Sequence, residues 1–170
     1  TTVDANSVSM ITGTSADVWN AMDNSSTMAV NGGVWVNLSG LVQAADVVSI
    51  KAATVGTITA TAATGTTGFT GSAANLASMF DDGAGIVSSP NAAVTVTGTT
   101  AQAADLSVVE GYTTATVNAL AVSLIEGTAT EVLAAVDNQA DTDTAANVAI
   151  TLSNDGNGIA ATMNAIDATT

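Results

Sequence analysis

Twelve of the fifteen acidic residues are aspartates, and several sit among Asn and Gly residues that would offer oxygen ligands to a hard cation. Asp81 and Asp82 precede Gly83; Asp137, Asp141 and Asp143 share the segment "DNQADTD"; Asp155 lies in "NDGN". Calcium is the cofactor these residues bring into question. Asp, Asn and Gly are also the ordinary material of turns. No segment carries the EF-hand spacing or the GGxGxD nonapeptide of β-rolls, so specific sites compete with calcium acting as a diffuse bridge between acidic surfaces. A second arrangement could do acid–base work. Asp46 and Asp105 recur at one phase of a repeated phrase, and two carboxylates a few ångströms apart, one with a raised pKa, are what a glycosidase uses. Thr162 takes that place in a third copy, and a carboxylate in the first turn of a helix also has a simpler role against the helix dipole. The expectation is a protein that is not an enzyme.

The missing residue types reinforce it. The chain has no Cys and no His, and Lys51 is its one cation, so thiolate and imidazole ligands, disulfides and the commonest general base are absent. Fifteen carboxylates against one Lys give a formal net charge of −14, which excludes a nucleic-acid partner. No apolar run is long enough for a membrane span. Lys51 is replaced by Glu110 and Asp167 in the other copies of its phrase, so a solvated or ion-paired side chain is expected rather than an isopeptide crosslink. Trp19 and Trp35 occur only in the first copy; core filling is the commoner use of a Trp beside Val, with a sugar-stacking face or a polymer interface as the alternatives.

These residues are carried by a repeat. "QAADVVSIKAATVGT" at Gln43 returns as "QAADLSVVEGYTTAT" at Gln102, and "GIAATMNAIDATT" near residue 170 is a weaker third copy. A second phrase interleaves with it, aligned on Gly13, Gly71 and Gly127 in "GTSADV", "GSAANL" and "GTATEV". Three units result, 2–56, 57–115 and 116–170, in one array over residues 1–170; a period near 58 residues points to stacked modules.

Each unit reads as strand, helix, strand, helix. The first helix starts after the Gly, capped by Thr14, Ser72 or Thr128 with Asp17, Asn75 or Glu131 three residues on. Its apolar pairs are Val18 with Met22, Leu76 with Phe80, and Val132 with Val136; the second helix offers Val47 with Ile50, Leu106 with Val109, and Met163 with Ile166. Strands are expected at "VWVNL", "AVTVT" and "VAITL", and more briefly at "TVDA", "TITA" and "TVNA". Strands run in one sense with helical returns give a parallel sheet, hence a right-handed α/β solenoid of strand–helix coils. A β-rich, sandwich-like all-β surface domain is the alternative fold. Neither end of the array shows a polar cap, so it is expected to stack on its own copies or to be a slice of a longer chain.

The phrases "ITGTSADVWNAM", "GTATEVLAAV", "TVNALAVSLIEGTA" and "VAITLSNDGNGIAATMNAIDATT" resemble the Thr/Ala-rich tandem repeats of giant exported cell-surface proteins of marine cyanobacteria and other marine bacteria. The resemblance implies an extracellular or cell-surface location and a structural or adhesive role, associated in some members with surface filaments, with no catalytic residues to carry over. The expected function is therefore a noncatalytic extracellular structural protein that associates with copies of itself or with neighbouring repeats in a filament. The rivals are a calcium-dependent or glycan-binding adhesin module and a carbohydrate-active enzyme using paired carboxylates.

Overall fold

The structure, a computed structural model, describes residues 3–23, 28–61, 65–81, 86–137, 142–144, 148–153, 162–164 and 166. Its elements come in a recurring order. The first round is β1 (Val3–Ala5), β2 (Met10–Gly13), α1 (Ser15–Asp23), β3 (Met28–Val30), β4 (Trp35–Leu38), β5 (Gly40–Gln43) and α2 (Ala44–Ala53). The second is β6 (Ile58–Ala60), β7 (Thr66–Gly71), α3 (Ala73–Asp81), β8 (Ile86–Ser88), β9 (Val94–Val96), β10 (Thr100–Gln102) and α4 (Ala103–Tyr112). β11 (Val117–Ala119), β12 (Leu124–Gly127), α5 (Ala129–Asp137), β13 (Thr142–Thr144) and β14 (Ala149–Leu152) begin a third, followed by helical residues at 162–164 and 166.

This is a mixed α/β protein with parallel sheets, in the orders β1-β3, β2-β4-β6-β8, β5-β7-β9-β11-β13 and β10-β12-β14. Helices α1 to α5 set aside the all-β alternative. The pairings repeat as the sequence does. Met10 pairs with Trp35 as Leu124 pairs with Ala149; Val36 pairs with Ile58 as Val94 pairs with Val117; Leu41, Val42 and Gln43 pair with Gly68, Phe69 and Thr70 as Thr100, Ala101 and Gln102 pair with Leu124, Ile125 and Glu126. Helices follow suit, α1 packing on α2, α2 on α3, α3 on α4 and α4 on α5.

The core lies between helices and sheets. Val36, Leu38, Val42, Ile58, Phe69, Val94, Val96, Val117 and Ile125 point inward from the strands. From the helices come Val18, Met22, Val47, Ile50, Leu76, Phe80, Leu106, Val109, Val132 and Val136, the i, i+3 and i, i+4 partners read from the sequence. One pair departs from that reading, for Ile166 is buried but Met163 is 49% exposed. Each fully buried Leu, Ile, Val or Phe contributes about 1.5–3 kcal/mol, which lets helices of nine or ten residues persist that would be marginal alone. Three of the five aromatics are gathered together: Phe69 meets Phe80 edge-on at 5.5 Å, Phe80 stacks on Tyr112 at 4.1 Å, and the Tyr112 hydroxyl hydrogen-bonds Ser88.

Caps form where the sequence puts them. The Asp17 N–H donates to Thr14 Oγ1, the Asn75 N–H to Ser72 Oγ and the Glu131 N–H to Thr128 Oγ1; in return the Thr128 N–H donates to Glu131 Oε2 at 2.9 Å, a complete capping box. After the second helix of the first two rounds, a buried threonine fastens the turn to the segment that leads into β4 or β9. Thr54 Oγ1 donates to the carbonyls of Val34 (2.8 Å) and Gly32 (3.0 Å), and Thr113 Oγ1 to that of Ala92 (3.2 Å).

Candidate functional site

The outer surface of the β2–β4 ladder carries the feature least explained by the scaffold. Strand alternation sends Val34, Val36 and Leu38 into the core, and Trp35 outward, 61% exposed. Its register partner Met10, 50% exposed, lies beside it, and Asn37 Nδ2 approaches Met10 Sδ at 3.2 Å. Together they border an open groove of about 400 Å³. Val8, Ser9 and Met10 form one wall, on the chain leading into β2; Asn31, Gly33, Val34 and Trp35 form the other, on the chain leading into β4. The walls are joined by the Trp35 N–H, which donates to the Ser9 carbonyl at 3.0 Å, and the turn is held by the Gly33 N–H donating to Asn31 Oδ1 at 3.0 Å. Nothing cationic lines the groove.

The repeat supplies an internal control. Gly13, Gly71 and Gly127 align, and pair with Leu38, Val96 and Leu152 respectively, so Trp35 corresponds to Ala93 and Ala149, and Met10 to Gly68 and Leu124. The scaffold is satisfied by Ala where Trp35 stands. Trp19, by contrast, is half-buried and packs against the core. Core filling is thus right for Trp19 and is corrected for Trp35, and the alternation of "VWVNL" was the signal for it.

Among the described residues the aspartates are not gathered. Asp82, Asp141 and Asp155 lie outside the described residues, as do the side chains of Asp81 and Asp137, which end α3 and α5. Asp143 is exposed on β13, and no group of three or more acidic residues converges among the described residues. Asp46 and Asp105 hold matching positions in the first turns of α2 and α4 but have different neighbours. Ser15, buried in α1, donates to Asp46 Oδ2 at 2.9 Å and accepts the Gln43 N–H at 3.1 Å. Ala73 stands in the place of Ser15 beside α4 and has no hydroxyl to give; burial pushes the Asp105 carboxyl above its ordinary value. Glu131 is held below its ordinary value by the Thr128 backbone N–H and hydroxyl that it accepts.

Of the two expectations for Lys51, solvated or ion-paired, the solvated one is set aside: the residue is half-buried and its ammonium nitrogen is withdrawn from solvent. Glu110, its counterpart on α4, accepts a hydrogen bond from the hydroxyl of buried Thr142 on β13, a link between the second and third rounds that no sequence pattern announces. Protein-family models, curated proteins and solved structures were all compared with the chain, and none matches it.

Proposed function

We propose that the chain is a section of a right-handed α/β solenoid, three units of two strand–helix coils each, and serves as a noncatalytic structural module of an extracellular, self-associating filament. The observation that carries this reading is the reuse of one junction. The contact of β4 with β6, β5 with β7 and α2 with α3 is made again by β9 with β11, β10 with β12 and α4 with α5. A unit whose trailing face fits its own leading face is heterologous, and such contacts give rings if the rotation closes and open helical assemblies if it does not. Sideways drift opposes closure here. β2, which precedes a helix, is followed in its ladder by β4 and then by β6, which follows a helix, so each unit is displaced by one strand position from the last.

The junction is also built for close approach. A Cβ on Gly71 would lie 2.8 Å from Ala44 Cβ, and one on Gly127 3.0 Å from Ala103 Cβ, so small residues recur where the second helix of one unit meets the strand of the next. The resemblance of the repeats to those of exported marine bacterial surface proteins is the reason for setting the module outside the cell.

Negative-stain electron microscopy of the purified chain over a range of concentrations tests the proposal. Filaments that lengthen with concentration are expected; isolated short particles at every concentration would overturn the self-association.

A further inference from the structure

We infer that the Trp35 groove is a binding site for a neutral sugar, with the indole as the platform for one face of a pyranose ring. The inference stands apart from the filament reading, since a monomeric chain would present the same groove. Three observations lead to it. Trp35 is mostly exposed at a position where the other units carry Ala93 and Ala149, so its size answers no need of the scaffold. An exposed indole standing on a strand that is pinned on its other face by Val34, Val36 and Leu38 is a rigid, flat surface. Its face carries the negative side of the ring quadrupole, which suits the weakly positive C–H groups of a sugar.

The second observation is the mixed chemistry of the walls. Met10 and Val8 add apolar contact beside the indole, and Ser9 and Asn31 add hydroxyl and amide groups with no hydrogen-bond partner for the Ser9 hydroxyl or the Asn31 amide N–H among the described residues. Polar groups placed at the edge of an apolar floor are the usual means of orienting a small ligand, and about 400 Å³ falls within the range of small-ligand clefts. Charge supplies the third. A chain with net charge −14, and a groove without a cation, repels phosphate, sulfate and carboxylate ligands and disfavours lateral docking of a second equally acidic copy, whereas a neutral ring meets no such opposition.

Intrinsic fluorescence gives the test, because Trp19 and Trp35 are the only indoles. The full chain is titrated with neutral oligosaccharides of glucose, of N-acetylglucosamine and of mannose, and with a sulfated and a sialylated oligosaccharide as anionic controls. A saturable change in emission with at least one neutral sugar is expected, absent in Trp35→Ala and kept in Trp19→Phe, with Asn31→Ala weakening binding by about tenfold. Trp35→Ala should fold normally, since Ala93 and Ala149 already occupy that position, and circular dichroism checks it. No saturable change with any neutral sugar would overturn the inference, as would equal binding of the anionic controls or a response that persists in Trp35→Ala. An emission change driven by protein concentration alone, and lost in Trp35→Ala, would assign the patch to contacts between copies and overturn it as well.

Discussion

A single side chain separates the environments of two aspartates that the repeat makes equivalent. Asp46 accepts the Ser15 hydroxyl, while Ala73 replaces Ser15 in the second copy of the repeat and Asp105 is raised by burial. A carboxyl whose folded pKa lies above its unfolded value adds stability that is fully present below the unfolded pKa and is lost as pH rises through the folded one. Asp105 therefore makes the fold less stable on the neutral side of the carboxylate range than on its acid side. Ala73→Ser should restore the missing donor and move the Asp105 titration, followed by carboxyl NMR, down towards the ordinary range. Asp105→Asn should raise the Tm at neutral pH and leave it nearly unchanged at acid pH. Glu131 acts in the opposite direction, since its lowered pKa gives stability above its unfolded pKa that is lost as pH falls through the folded value.

At the scale of elements, close packing between units should be the most easily damaged feature. Gly71→Ala brings a Cβ within 2.8 Å of Ala44 Cβ and should cost about 1–3 kcal/mol. Gly111→Ala, in α4 with nothing within 4 Å of the new atom, should instead gain about 0.5–1 kcal/mol. Thermal unfolding of the two variants against the parent checks both signs. Helices were legible because their information is local: Thr14, Ser72 and Thr128 cap α1, α3 and α5, and the apolar pairs of all five fall at helical spacing. Strands were legible where the alternation is long, as in β4, β9 and β14, and where a brief phrase recurs, as in β1, β6 and β11. β2, β3, β5, β7, β8, β10, β12 and β13 escaped notice, since segments such as "TAQ" or "IVS" have no pattern of their own and are strands because a neighbouring strand supplies the partner. The groove was hidden for a related reason: Met10 and Trp35 are 25 residues apart in the chain and become neighbours only through register.

The whole molecule is governed by repetition of its junctions, and the proposed head-to-tail stacking would extend that repetition to a pairing between copies. Asn37 pairs with Thr59, and Thr95 with Asn118. In the same frame Thr151 is the counterpart of Asn37 and Thr95, and Asp4 that of Thr59 and Asn118, so head-to-tail stacking would set Thr151 of one copy beside Asp4 of the next. Both are exposed on strands, and neighbouring parallel strands stand about 4.8 Å apart, within the Cα separation a disulfide spans. The chain's lack of cysteine makes the experiment clean. A variant carrying both Asp4→Cys and Thr151→Cys, oxidised under assembly conditions and run on a non-reducing gel, should give a ladder of covalent multimers that collapses on reduction, with each single variant going no further than a dimer. A double variant that stays monomeric, or stops at dimers as the single variants do, would contradict head-to-tail stacking.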